Sequence, residues 1–379
     1  MSPKVVILST ADFRSAVWTN KQYMAAGLSQ YVDVTYIESM GLRQPNLSAS
    51  DINRVVNRIN PFGRLGRTEF SQTAGYENIS IIPPRVIPFH RFRAIRAINQ
   101  RLVQSDLARR TNANRDDTLW TFSPMTYGLE DHFGKVIYHS VDLLHTLPGV
   151  PAEALIDAEC ALVRRADIVI ASSHGVADHL TAIGASEVRL WENVADVEMF
   201  ANSRSAVRRP TAIFAGNLTT TKVDFAILER IADSGIQLVL AGPVDIDGVG
   251  SESRLESLLT RSNVDYLGKL SLQELAAECG RSSVGLIPYV QSEYTKGVFP
   301  LKVYEYLSAG LHVVSTAIAS IDRSKPQGVT ITSTDDDFVA AVESAIKMFN
   351  HDEASVRSVS AQKHSWATRI DQAYELILN

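Results

Sequence analysis

The stretch "PLKVYEYLSAGLHVVST", residues 300–316, sets a Lys in the first turn of an expected helix. A helix N-terminus carries partial positive charge and favours Asp or Glu there. A cation in that position points to an anion held jointly by Lys302 and the helix end. Pro300 suits the first helical position, where a missing N–H costs nothing, and Gly310 suits the end. Gly297 provides a tight bend just upstream. Val303, Tyr304 and Leu307 are spaced to turn inward, while Lys302, Glu305 and Ala309 share the other face. Lys302 would reach a phosphate, and Glu305, one turn deeper, would accept hydrogen bonds from two ribose hydroxyls. The alternative is an i,i+3 surface pair, worth about a few tenths of a kcal/mol.

A second Gly–Lys turn lies in "TAIFAGNLTTTK", 211–222. Here a strand runs into Gly216 and Asn217, with Lys222 following. Gly216 permits close backbone approach, and the turn is expected to feed a helix N-terminus, an anion site by geometry. Tyr289 closes a further strand, "VGLIPYV", and joins the same group. Two cationic turns one β–α unit apart suit a diphosphate.

The ends of the earlier strands carry different chemistry. "STADFRSAVWTNKQ" (9–22) offers Asp12, Arg14, Trp18 and Asn20, and "YHSVDLLH" (138–145) offers His139, Asp142 and His145. A carboxylate at a strand end is a candidate general base for a sugar hydroxyl. Asp142 is the first choice and His139 the second. The alternative reading of Asp142 is a helix N-cap. His145 and His174 read as polar surface or satisfied core residues. Asn193 reads as a turn or hinge residue.

These residues need a scaffold that brings strand ends together. The short apolar runs 4–10, 32–38, 118–124, 135–142 and 166–173 alternate with helical text such as 151–166. Such β–α alternation signals a parallel sheet with helices on both faces. After a polar stretch at 193–210, read as a linker, a second series follows: strands in 211–217, "IQLVLAGP", "NVDYLGKL", "VGLIPYV" and "HVVST". The fold class is therefore α/β, with two β/α/β domains expected to face each other across a cleft. Open parallel sheets bind ligands outside the carboxyl ends of their strands. The expected domains are 1–195, binding the acceptor, and 196–362, binding the nucleotide sugar. A final helix in 363–379 is expected to pack back, with the first domain as one choice.

Composition narrows the classes. The chain has 379 residues, 45% hydrophobic and 21% charged, with a net charge of −5. Its pI is about 6.0, which argues against nucleic acid as the main partner. Cys160 and Cys279 are the only cysteines, too few for a disulfide framework or a cysteine metal cluster, and they fit a reducing cytosol. The opening apolar run is short for a signal peptide, and no later run approaches the roughly 20 residues that span a bilayer. One segment departs from the acidic balance. Residues 54–101 hold nine arginines interleaved with Phe62, Phe70, Phe89 and Phe92. This reads as a surface for lipid headgroups or an anionic lipid-linked substrate, or as a solvated face.

With these residues in hand, the sequence resembles the glycosyltransferases with two facing Rossmann-like domains (the GT-B fold), specifically group 1 or family 4 sugar transferases. "PLKVYEYLSAGLHVVST" looks like their nucleotide-sugar motif. "FAGNLTTTK" is similar to their Gly-Arg-Leu…Lys loop, and "ENVADVEMF" to their interdomain stretch. "ADFR" and "YHSVD" also resemble the xanthan-type glucuronosyltransferases, in which the Asp of the second stretch is taken as the base; the match lands on Asp142. Three positions depart from the pattern: Gly297 replaces a Glu, Asn217 replaces an Arg, and no Gly separates Asn193 from Val194.

The resemblance implies an enzyme moving a hexose from a nucleoside diphosphate sugar, UDP included, to a hydroxyl of a glycan or lipid-linked acceptor, in cell-surface polysaccharide or glycolipid synthesis. It implies no cofactor and no catalytic metal; the "DID" at 245–247 is a weak metal motif. Gly216, Asn217, Lys222, Tyr289, Lys302 and Glu305 would hold the donor, its base lying against Tyr266 and Gly268. Asp12, Arg14, Trp18 and Asn20 would hold the acceptor. Asp142, His139 and Lys302 would carry catalysis. If the reaction inverts, Asp142 takes the hydroxyl proton; if it retains, Asp142 orients the acceptor. The expected location is the cytoplasm, with peripheral contact at the inner face of the membrane through residues 54–101. An epimerase of the same fold and a non-catalytic nucleotide binder are the alternatives.

Overall fold

The computed structural model describes residues 4–15, 18–43, 76–244 and 251–379. The chain divides into Met1–Glu192 with Ile370–Asn379, and Asn193–Arg369. Each unit is built on one parallel sheet.

The first sheet contains β1 (Lys4–Leu8), β2 (Asp33–Ile37), β3 (Ile79–Ile82), β4 (Thr118–Thr121), β5 (Lys135–Ser140), β6 (Ile168–Ala171) and β7 (Arg189–Leu190). Their order is β3-β2-β1-β4-β5-β6-β7. Val5 to Leu8 are fully buried. That is why the inner strands read as continuous apolar runs rather than alternating ones. β3 was not expected. Its four residues, "ISII", lie inside the segment read as a basic insertion, and the prolines at 83 and 84 end the run at once.

The second sheet contains β8 (Thr211–Ala215), β9 (Gln237–Ala241), β10 (Val264–Tyr266), β11 (Val284–Ile287), β12 (His312–Thr316) and β13 (Val329–Thr332). Their order is β10-β9-β8-β11-β12-β13. The direction of winding reverses between β1 and β4 in the first sheet, and between β8 and β11 in the second. Ligands bind at such switch points, outside the carboxyl ends of the strands.

The stretch 193–210 is not a free linker. The helix Val197–Asn202 lies within it, and the Asp196 carboxylate caps that helix by accepting from the Met199 N–H at 3.3 Å. Phe200 is fully buried in the second unit's core. The Asn193 carboxamide donates to the Phe299 carbonyl at 2.7 Å, which fastens this stretch to the loop preceding Lys302.

The last helix, Trp366–Leu378, contributes its residues from Ile370 onward to the first unit. Ile370 lies so close to Gly27 that a Cβ there would meet its side chain at 2.3 Å. Tyr374 stacks on Tyr31 with ring centroids 4.8 Å apart. Among the described residues, no helix is long and apolar enough to cross a membrane.

Candidate donor site at the second sheet's switch point

β8 and β11 are neighbours in space although their first residues, Thr211 and Val284, lie 73 positions apart in the chain. Their outgoing loops are fastened together. The Asp224 N–H donates to the Pro288 carbonyl at 2.8 Å, and the Val290 N–H donates to the Lys222 carbonyl at 2.9 Å. Val223 and Tyr289 form an antiparallel bridge. The Thr316 hydroxyl donates to the Tyr289 carbonyl at 2.8 Å. These bonds place Lys222 and Tyr289 side by side.

Three glycines end three adjacent strands. Gly216 has φ +150°, Gly242 has φ +132° and Gly268 has φ +65°. The Gly216 N–H donates to the Ala241 carbonyl at 2.8 Å, and the Gly242 N–H donates to the Gly268 carbonyl at 2.7 Å. A Cβ on Gly242 would lie 2.0 Å from the Gly216 carbonyl oxygen. The backbone therefore forms a floor clear of side chains, at which a bulky ligand can approach the main chain closely. The Tyr266 hydroxyl donates to the Gly242 carbonyl at 2.9 Å and braces the far end of this floor.

Lys302 reaches the same floor. A Cβ on Gly216 would lie 2.5 Å from its Cε and 2.8 Å from its Nζ. The Lys222 ammonium lies 4.8 Å from the centre of the Tyr289 ring. Both ammonium groups act on the Tyr289 phenol. Burial alone would raise this phenol, but the two ammonium groups outweigh it and hold the pKa below the ordinary tyrosine range. Burial alone would likewise lower Lys302, but Tyr289 and Glu305 outweigh it and hold the ammonium above the ordinary lysine range. The site thus concentrates positive charge around one acidic hydroxyl.

Glu305 is 8% exposed. Burial raises its carboxyl, partly offset by Lys302. The sequence placed Glu305 with Lys302 and Ala309 on the helix face opposite Val303, Tyr304 and Leu307. Instead, every residue from Val303 to Ser308 is buried. The helix Lys302–Ser308 is only seven residues long, so Lys302, not the helix end, carries the site's charge. The Gly216 turn also differs from expectation. It does not open directly into a helix, because Phe225–Asp233 begins eight residues after Asn217 and the Asp224 carboxylate already caps it, accepting from the Ala226 N–H at 3.0 Å. Asn217 itself is exposed.

Sequence reasoning missed the residues that brace the floor. The Ala215 N–H donates to the Tyr306 hydroxyl at 2.8 Å. Gly285 makes room for that ring, since a Cβ there would lie 2.4 Å from it. A Gly inside an apolar strand was the signal, because it marks a close approach.

In the first unit, Asp142 follows β5 and is half-buried. The Leu144–Thr146 turn has no side-chain cap, so the N-cap alternative does not describe Asp142. Lys21, unnoticed in the sequence, is a buried lysine at 8% exposure. Burial lowers its pKa, and the Asp142 carboxylate offsets part of that fall. His139 is 2% exposed, within a cage of Trp120, Phe122 and Trp191. Asp12 and Arg14 are exposed on a turn after β1. The Asp12 carbonyl accepts from Gln22 Nε2 at 3.0 Å. Trp18 packs with Phe13, Tyr23 and Tyr76 at centroid distances of 5.6, 5.4 and 5.6 Å. Asn20 opens the helix Asn20–Leu28. The motif at 245–247 and the arginines from Arg54 to Arg67 lie outside the described residues.

Two parallel α/β sheets wound in this order, the second with a cationic floor at its switch point, define the GT-B fold of glycosyltransferases. Residues 209–348, which lie within the second unit, match the family model described as Glycosyl transferases group 1. The chain is 27% identical over 266 residues to a protein of Bacillus subtilis (strain 168) named as the teichuronic acid biosynthesis glycosyltransferase TuaH; the match covers 66% of this chain and 65% of that protein. Sucrose-phosphate synthase from Thermosynechococcus elongatus is similar in structure, with TM-score 0.69, 15% identity, and 100% and 99% of the two chains covered. HepE from Anabaena in complex with UDP gives TM-score 0.65 and 10% identity over 100% and 99%. At these identities the structural likeness speaks to the fold.

Proposed function

We propose that the protein is a glycosyltransferase that moves a hexose from a nucleoside diphosphate sugar, with uracil as the base, to a hydroxyl of a glycan or lipid-linked acceptor in cell-surface polysaccharide synthesis. The observation that carries this reading is the convergence of Lys222 and Lys302 on the Tyr289 phenol at the β8/β11 switch point. Two ammonium groups beside a bare glycine floor match the charge and width of a diphosphate. Bond cleavage leaves additional negative charge on that diphosphate, and preorganised cations lower the barrier by stabilising it. In this reading the lysines supply the positive charge, and the donor chemistry needs no metal. Glu305 accepts from the ribose hydroxyls, and the base lies by Tyr266 and Gly268, with Gly216 and Asn217 flanking the phosphates. Asp142 acts on the acceptor hydroxyl, and His139, which precedes it on β5, is the second candidate for that role. Asp12, Arg14, Trp18 and Asn20 contribute to acceptor binding. The name of the Bacillus relative and the UDP in the Anabaena structure support the pathway and the base.

A thermal-shift series with UDP, GDP, ADP and TDP tests the donor. A ligand that binds only the native state at about 100 times its Kd adds about 2.7 kcal/mol of stability. UDP is expected to raise the melting midpoint most. No shift with any nucleotide would remove the donor site. Donor consumption is expected to require an acceptor, and consumption without one would point to an epimerase.

The same proposal places the protein at the inner membrane face. Phe92 and Ile98 are 45% and 42% exposed, and Arg91, Arg93 and Arg101 are exposed around them. Other members of the run are internally tied. Arg96 donates to the His90 carbonyl at 2.9 Å, and Arg85 pairs with Asp106 at 3.5 Å. Each basic residue near an anionic bilayer contributes about 1 kcal/mol. The protein is expected to sediment with phosphatidylglycerol vesicles and not with phosphatidylcholine vesicles, and the doubly substituted Phe92→Ala, Ile98→Ala protein is expected to sediment several-fold less. Equal recovery with both vesicle types would refute the contact.

A further inference from the structure

We propose that His145, Glu159 and His179 form a site for one divalent transition-metal ion of the zinc class. This site is separate from the donor chemistry and does not depend on it. Its three residues come from three elements of the first unit: His145 from the turn Leu144–Thr146 after β5, Glu159 from the helix Ala152–Arg165, and His179 from the helix His174–Ala182. One ligand atom from each lies within 4.8 Å of the other two. His179 Nε2 lies 2.8 Å from Glu159 Oε2. The two imidazole rings have centroids 4.5 Å apart.

Two details go beyond proximity. First, the Tyr138 hydroxyl donates to Glu159 Oε1. That bond fixes the carboxylate and leaves Oε2 directed at the histidines, the kind of supporting hydrogen bond that orients metal ligands. Second, His145 Nδ1 is buried without a hydrogen-bond partner. Buried polar nitrogens are normally satisfied, and a metal ion would satisfy this one through its lone pair.

Two imidazoles and one carboxylate are a zinc donor set, with metal–ligand distances of about 2.0–2.2 Å and one coordination position open. The bound ion would tie the Leu144–Thr146 turn to both helices, and Asp142 lies three residues before His145. The sequence did not suggest this site, because Glu159 and His179 lie 14 and 34 residues beyond His145.

The test uses the full, untagged chain after chelator treatment, with zinc alone as the probe. Competition against a chromophoric chelator is expected to show one zinc ion per chain and a zinc-dependent rise in melting midpoint. His145→Ala and Glu159→Gln are each expected to weaken zinc binding at least tenfold. His145 lies on a half-buried turn, and Gln preserves the size of Glu159, so both variants keep the fold, which is checked by circular dichroism. Zinc binding unchanged in both variants, or no zinc bound by the unaltered chain, would overturn the proposal and leave the trio as a hydrogen-bonded cluster.

Discussion

Lys302→Ala is expected to lower kcat by about 10²–10³-fold, the usual cost of removing one preorganised group from a developing anion. The melting midpoint is expected to move little. Lys302 is half-buried, and the buried residues of its helix are Val303 to Ser308, which the substitution leaves in place. The argument rests on position. The ammonium lies against Gly216 and against the Tyr289 phenol, with Glu305 near enough to help hold it charged. Losing the charge also removes what partly offsets burial at Glu305, so that carboxyl should protonate more readily. The KM for the donor should rise less than kcat falls, because the diphosphate gains charge on departure and the missing cation is felt most there. Steady-state rates with saturating donor, alongside circular dichroism, decide the matter. A variant that is folded and nearly fully active would exclude Lys302 from the chemistry.

Gly216→Ala is expected to come close to the same loss by a different route. At φ +150° an L-residue is strained, at a cost of about 1–3 kcal/mol. The new methyl carbon would meet Lys302 Cε at 2.5 Å and Nζ at 2.8 Å. The lysine is flexible and would swing aside, so the protein should fold with a lowered midpoint while the ammonium leaves its place. Residues that act through one group do not add. The double variant Gly216→Ala, Lys302→Ala should therefore be hardly slower than Lys302→Ala alone. If the two losses multiply instead, Gly216 serves the donor in some way other than by seating Lys302. The same strain without any activity loss would show that the floor is not where the donor lies.

The sequence by itself determined the alternation of strands and helices, the glycine at the end of β8, and the residue types Lys222, Lys302, Glu305 and Asp142 at or just beyond strand ends. These are local properties. Apolar runs of four or five residues form strands, and a Gly after one turns the chain, whatever lies elsewhere. The ends of short elements were harder to read, as β3 shows, because four apolar residues between polar neighbours carry little pattern.

Only the tertiary structure decided which of those residues meet. The order β10-β9-β8-β11 sets β8 beside β11, so Lys222 and Lys302 share Tyr289 across 80 positions of chain. It buried Glu305, because the Val197–Asn202 and His351–Ala361 helices both pack against the Lys302–Ser308 segment. It brought Lys21 within the electrostatic reach of Asp142, and it gathered His145, Glu159 and His179. The physical reason is common to all of these. The strength of an electrostatic contact depends on separation in space and on the water excluded around it, and both are set by strand order and helix packing rather than by spacing along the chain.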